Sequence, residues 1–158
     1  MSNRLIRMFS RLNAGHLFQD KSAARLLPLT GFTSLLDTEI VTDKSGTDFV
    51  LLSGAHGDLD YKVQDKTEFE AVNNHVHILD KLSPSELDEL KEIAPVLCRC
   101  IQYTLQAKYH GRQFYIYATA SVHDSFILRF HQNWDDEPPY YSPGLSYGDD
   151  MIIFLPPK

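Results

Sequence analysis

The chain has few cysteines and no long apolar run. Its two cysteines, Cys98 and Cys100, stand two residues apart in a pattern typical of a helix, where side chains at that spacing do not face each other. A disulfide between them is therefore not expected, and free thiols in a reducing cytosol are predicted. No apolar run approaches the length of a membrane span. We therefore expect a cytoplasmic protein that does not bind membranes.

The familiar catalytic and cofactor motifs are also missing. The sequence contains no Gly-x-Ser-x-Gly elbow, no Walker-type loop, no dinucleotide fingerprint and no His-Glu-x-x-His. The glycine-rich stretch at 54–58 leads into Leu59-Asp60-Tyr61, which does not start a helix, so it is a poor phosphate cradle. We predict a protein that is not an enzyme and that holds no cofactor and no metal.

Positive charge is scarce after the first thirty residues. Residues 1–30 carry five cations and one acid, whereas the remaining 128 residues carry ten cations and twenty acids, for a net charge of −6 overall. A surface of that sign repels nucleic acid phosphates, which argues against direct DNA or RNA binding. It favours a basic protein partner instead.

The size and the hydrophobic patterns predict one α+β domain over residues 1–158. Ser83-Pro84-Ser85-Glu86 is a helix start with a capping box, and an apolar stripe of helical period follows it. The stripe keeps its phase across Pro95, which favours one bent helix at about 84–109, packed on an antiparallel sheet. Apolar residues at helical spacing in residues 1–19 predict a short N-terminal helix: Leu5, Ile6, Met8, Phe9 and Leu12. An arginine-rich start without acids is also typical of an organelle transit peptide.

Strands are predicted from alternating and apolar runs. Thr38–Thr42 and Asp48–Ser53 flank a tight-turn sequence, and 112–120 with 125–131 form a second hairpin in which Phe114, Ile116 and Ala118 share one face. The other predicted strands are Asp60–Gln64, Thr67–Val72 and Met151–Leu155, and His75–Leu79 is predicted either to extend the second of these or to form a further strand.

The most distinctive stretch is residues 134–150, WDDEPPYYSPGLSYGDD, which we call the acidic segment. It holds five carboxylates, four large aromatic residues and three prolines, and no cation. Prolines exclude a regular helix, aromatic rings supply contact area, and carboxylates attract a basic partner. With the end of the preceding strand, it predicts a partner-binding set of Arg129, His131, Trp134, Asp135, Asp136, Glu137, Tyr140, Tyr141, Tyr147, Asp149 and Asp150.

Two other functions compete with this interpretation. His75 and His77 share one face of a predicted strand and would chelate a metal with Asp80 or His56 as a third ligand, while His110 with His123 or His131 would imitate a metal-free ribonuclease. A structural or assembly subunit would instead cover the sheet face of Tyr115, Tyr117 and Ile127.

An acidic, cofactor-free α+β chain with the segment WDDEPPYYSPGLSYGDD resembles the bacterial immunity proteins of contact-dependent growth inhibition and related polymorphic toxin systems. The resemblance implies a non-enzymatic inhibitor that binds a small basic toxin domain, such as a nuclease. It also implies that the acidic face takes the place of the phosphate backbone or covers the active site from its margin.

Overall fold

The computed structural model describes residues 37–54, 59–122, 124–142 and 151–157. These residues confirm the α+β class, with antiparallel sheets and one long helix packed on the larger sheet. The predicted N-terminal helix lies outside the described residues. In chain order the elements are β1 (Thr38–Thr42), β2 (Asp48–Leu52), α1 (Lys66–Asn73), β3 (His75–Leu79), α2 (Pro84–Lys108), β4 (Phe114–Ala120), β5 (Phe126–Gln132) and β6 (Met151–Leu155).

The first two strands form the predicted antiparallel hairpin, in which Ile40 pairs with Val50. Asp43 organises the turn, because its Oδ1 accepts hydrogen bonds from the backbone nitrogens of Ser45 at 2.8 Å and Thr47 at 3.0 Å. Gly46 follows at a φ of 84°, a left-handed conformation that favours glycine. Hydrogen bonding to the Ser45 side chain and to backbone N–H groups holds the pKa of Asp43 below its ordinary value.

The prediction of two strands at Asp60–Gln64 and Thr67–Val72 is wrong, because residues 60–64 form no regular element and residues 66–73 form α1. Asp65 is the N-cap, and its Oδ1 accepts a hydrogen bond from the Glu68 backbone nitrogen at 2.7 Å. The buried side chains Thr67, Glu70 and Ala71 recur at helical spacing. Two of these three are polar, so a pattern of apolar residues alone did not reveal the helix.

The long helix α2 begins as predicted. Ser83 accepts from the Glu86 nitrogen, and the Glu86 carboxylate accepts from the Ser83 nitrogen, which completes the capping box. The helix continues through Pro95 to Lys108 without a break. Its buried face packs against β4 and β6. The buried residues are Leu87, Leu90, Ala94, Leu97, Cys98, Ile101, Gln102 and Leu105.

The four-stranded antiparallel sheet has the order β3-β5-β4-β6. In the predicted hairpin, Ile116 pairs with Phe130 and Ala118 with Leu128, and all four side chains are buried. The opposite face carries the alternate residues of the same two strands: Tyr115, Tyr117, Arg129 and His131. This second face supports the residues that follow β5.

A polar junction joins the β1–β2 hairpin to the larger sheet through α1. The Asn74 side chain donates to Val50 O at 2.7 Å and accepts from Leu52 N at 3.0 Å. The backbone carbonyl of Asn74 accepts from Phe130 N at 3.2 Å. The fully buried Glu70 accepts from Val50 N at 2.8 Å and from Gln132 N at 2.6 Å. The side chain of Glu70 in α1 and that of Asn74 at its C-terminal cap thus occupy the hydrogen-bonding positions that a neighbouring strand would fill.

Candidate protein-binding surface

The described part of the acidic segment, residues 134–142, follows the end of β5 and crosses the N-terminal end of α1. Trp134 is half-buried and packs on the hairpin core, with its ring 5.6 Å from Phe49 and 5.0 Å from the Lys66 ammonium. Its indole N–H donates to Glu70 Oε2 at 3.2 Å. Trp134 therefore anchors the segment to the domain, and its indole nitrogen points inward.

Glu137 binds the start of α1. Its two carboxylate oxygens accept hydrogen bonds from the backbone nitrogens of Lys66 at 3.0 Å and Thr67 at 2.6 Å. These are two of the N–H groups that a helix start leaves without intrahelical partners, and a negative charge is stabilised there. Glu137 therefore fixes the segment to the helix from outside it.

Asp136 forms an ion pair with Lys66 at 2.7 Å, yet 70% of its side chain is exposed. The hydrogen bond to Lys66 lowers the pKa of Asp136, and the same contact raises the pKa of Lys66. An exposed pair of this kind stabilises a protein little. Asp136 therefore keeps a carboxylate facing water.

Three further carboxylates lie near this one. Asp135 precedes it in the segment, Asp65 is the N-cap of α1 and Glu68 belongs to the first turn of that helix; all three are exposed. The sequence prediction missed Asp65 and Glu68 because it assigned their surroundings to strands. The Asp65 cap, followed three residues later by an acid, was the available signal for a helix start.

Arg129 lies beneath the segment. Its guanidinium carbon is 4.8 Å from the centre of the Tyr140 ring and 5.8 Å from that of Tyr141, and it donates to the Tyr141 hydroxyl at 3.2 Å. Tyr141 also packs edge-on to the buried Tyr117 at 5.2 Å. Tyr140 and Tyr141 are half-buried and hold this part of the segment on the sheet by aromatic and cation–π contacts.

His131 is buried below the same residues. Its Nδ1 donates to the Gln132 carbonyl at 2.6 Å, and its Nε2 accepts from the Tyr117 hydroxyl at 2.8 Å and from the Tyr140 nitrogen at 3.3 Å. Burial lowers the pKa of His131 to about 4, so the ring is neutral at pH 7. His131 thus holds the backbone of the segment in place.

A concavity of about 220 Å³ opens between the segment and α1. We call it the Thr67 concavity; Asp65, Thr67 and Glu68 line one side and residues 137–140 line the other. Thr67 is 5% exposed, and its hydroxyl has no hydrogen-bond partner among the described residues. A buried hydroxyl without a partner costs about 1–3 kcal/mol.

The alternative hypothesis of a metal site is based on two histidines whose imidazoles are neighbours in the structure. The rings of His75 and His77 are 5.6 Å apart on the exposed part of β3, and His77 Nδ1 is 3.9 Å from Asp80. Across residues 37–54, 59–122, 124–142 and 151–157, no group of three or more histidine, cysteine or acidic residues is arranged to hold a metal ion. His56 and His123 lie outside these ranges, as do three predicted partner-binding residues, Tyr147, Asp149 and Asp150.

Cys98 and Cys100 are both free, and burial raises the pKa of the Cys98 thiol to about 12. A thiol of this kind is unreactive at neutral pH.

In the described part of the chain, no helix is both long enough and apolar enough to cross a bilayer. No protein-family model, curated protein or solved structure matches this chain.

Proposed function

We propose that this chain is a non-enzymatic protein-binding module, an inhibitor of the immunity type that neutralises a small basic toxin domain in the cytoplasm. The observation that supports it is the group of exposed carboxylates where the acidic segment meets α1: Asp65, Glu68, Asp135 and Asp136. Lys66 forms an ion pair with one of them, Asp136. Four acids beside one partly buried ammonium create a negative field that attracts a basic surface.

The anchored aromatic residues refine this proposal. Trp134, Tyr140 and Tyr141 bind the segment to the domain, so the carboxylates are held in fixed positions before a partner arrives. A surface organised in advance loses less conformational freedom on binding. Arg129 and His131 support it from below, while Tyr147, Asp149 and Asp150 belong to the proposed surface on sequence grounds alone.

The proposal predicts that a gene beside that of this chain encodes a basic toxin domain, and the test is binding of that domain to this chain, with toxin activity measured in parallel. We expect inhibition, and an association rate that falls about tenfold or more as salt rises from about 50 to about 500 mM. The variant Asp135→Asn/Asp136→Asn should lower the association rate in low salt and reduce its dependence on salt.

A matched control is available on α2. Asp88 is exposed and pairs with Lys91 at 2.8 Å, as Asp136 pairs with Lys66, and Glu92 is exposed like Asp135. The variant Asp88→Asn/Glu92→Gln removes the same charge from another place and should leave the association rate close to that of the natural chain. If the two double variants lower the association rate equally, the net charge of the chain explains the binding and the position of these carboxylates does not. Absence of both binding and inhibition would refute it.

A further inference from the structure

The Thr67 concavity has one charged side and one ring-lined side. The N-cap and the first turn of α1 contribute two carboxylates, Asp65 and Glu68, while Pro138, Pro139 and Tyr140 contribute apolar surface. A side chain that suits both must have an apolar stem and a cationic end. Lysine and arginine have this form.

The carboxylates around the concavity differ in what they offer a ligand. Both oxygens of Glu137 already accept backbone N–H groups of α1, and Asp65 Oδ1 accepts one as well. Neither of these two can present two free oxygens side by side, which is the arrangement that a guanidinium needs for paired hydrogen bonds, so of the three lining carboxylates only Glu68 offers it. A compact ammonium with three rotatable donors suits single remaining lone pairs better.

Thr67 independently points to a ligand. Its hydroxyl is buried without a partner among the described residues, although the side chain lines the concavity. A threonine in a helix occupies two χ1 rotamers, so the hydroxyl can turn toward an incoming group without movement of the backbone. An ammonium in the concavity would donate the hydrogen bond that this oxygen lacks.

We propose that the Thr67 concavity receives one lysine side chain of the basic partner, with its methylenes against Pro138, Pro139 and Tyr140 and its ammonium toward Asp65, Glu68 and the Thr67 hydroxyl. This inference rests on the proposed function and identifies one contact within it. The exposed Asp135 and Asp136 attract the partner over a distance, whereas the concavity fixes its position at contact.

The test uses blocked tetralysine, tetraarginine and tetraglutamine peptides added to the full chain, with binding followed by NMR shifts of backbone amides. Tetralysine should give saturable shifts at Thr67, Glu68 and Tyr140, tetraarginine weaker ones, and tetraglutamine none. The decisive variant is Thr67→Val, which keeps the shape and the net charge and removes only the hydroxyl. It should weaken tetralysine binding about tenfold, as expected for loss of a hydrogen bond to a charged group.

Glu68→Gln and Glu92→Gln form a matched pair, since both remove one exposed helical carboxylate. The first should weaken tetralysine binding and the second should not. Equal losses in this pair, unchanged binding by Thr67→Val, or equal binding of tetraarginine would overturn the inference. If the peptide result is negative while toxin binding still depends on Asp135 and Asp136, the lysine site fails and the proposed function stands. If tetralysine binds in the concavity and the toxin is not bound, the proposed function fails instead.

Discussion

The Glu137 carboxylate lies 2.6 Å from the backbone nitrogen of Thr67, across seventy residues of chain. This contact makes the start of α1 dependent on the acidic segment. It gives Glu137 a different role from that of its neighbour Asp136, which pairs with a lysine and faces water.

We predict that Glu137→Ala lowers the free energy of unfolding by about 1–2 kcal/mol, because two N–H groups at the start of α1 lose their acceptor. Urea denaturation measures the change. Glu92→Ala, at an exposed position within α2, is the control and should have no measurable effect. Equal stability of the two variants would show that Glu137 does not act as a cap.

Glu70 should make stability depend on pH. Burial raises its pKa from 4.5 to about 7, although four N–H donors from Val50, Gln132 and Trp134 favour the ionised form. The unfolded chain releases this proton near pH 4.5 and the folded chain near pH 7. The folded state therefore binds more protons between these values, and its stability falls as pH rises through them.

His131 acts in the opposite direction, because burial lowers its pKa from 6.5 to about 4. Its contribution to the free energy of unfolding therefore rises as pH rises between these two values. The clean measurement is therefore the difference in unfolding free energy between the natural chain and Glu70→Gln, in which the His131 contribution cancels. We expect this difference to fall by roughly 2–3 kcal/mol from about pH 5 to about pH 8. A constant difference would show that Glu70 is ionised throughout.

The fluorescence of Trp134 should report the ionisation of Glu70 directly. Trp134 is the one tryptophan of the chain, and its indole N–H donates to the Glu70 carboxylate. We predict a change in its fluorescence with a midpoint near pH 7, as Glu70 gains its charge. Glu70→Gln should abolish the transition. A transition that persists in this variant would assign it to another group.

We expect Arg129 to stabilise the fold through the planar shape of its guanidinium more than through its charge. Arg129→Lys keeps the charge but loses the planar group over the Tyr140 ring and the hydrogen bond to the Tyr141 hydroxyl. We predict about 1 kcal/mol lower stability and faster hydrogen exchange at residues 140–142. Arg99→Lys, at an exposed position on α2, is the matched control and should leave exchange in this segment unchanged.

The elements with local signals were predictable from the sequence. The capping box at Ser83, the turn around Asp43 and the alternation of the 114–132 hairpin each express a preference of a few neighbouring residues, and the structure follows them. α1 was missed because its buried face contains Glu70, which is buried only where β2, β5 and Trp134 supply its hydrogen bonds. Partners so far apart in the chain leave no local pattern.

The acidic segment was predictable as a distinct feature, but the roles of its members were not. Asp135, Asp136 and Glu137 are adjacent carboxylates in the sequence, yet only Glu137 accepts hydrogen bonds from the backbone nitrogens at the start of α1. Arg129 and the tyrosines looked equally suited to a partner, and in the folded chain they contact one another. That difference depends on the path of the chain after β5, which residue types alone do not determine.

The side chain of Asn74 affects whether a strand of another molecule can pair with the free edge of β2. Together with Glu70 it engages the amide and carbonyl of Val50 and the amide of Leu52, on the side of β2 that does not pair with β1. A strand from another copy finds these three backbone groups already taken. The hairpin is thereby protected at this edge against the edge-to-edge pairing that leads β-proteins to aggregate.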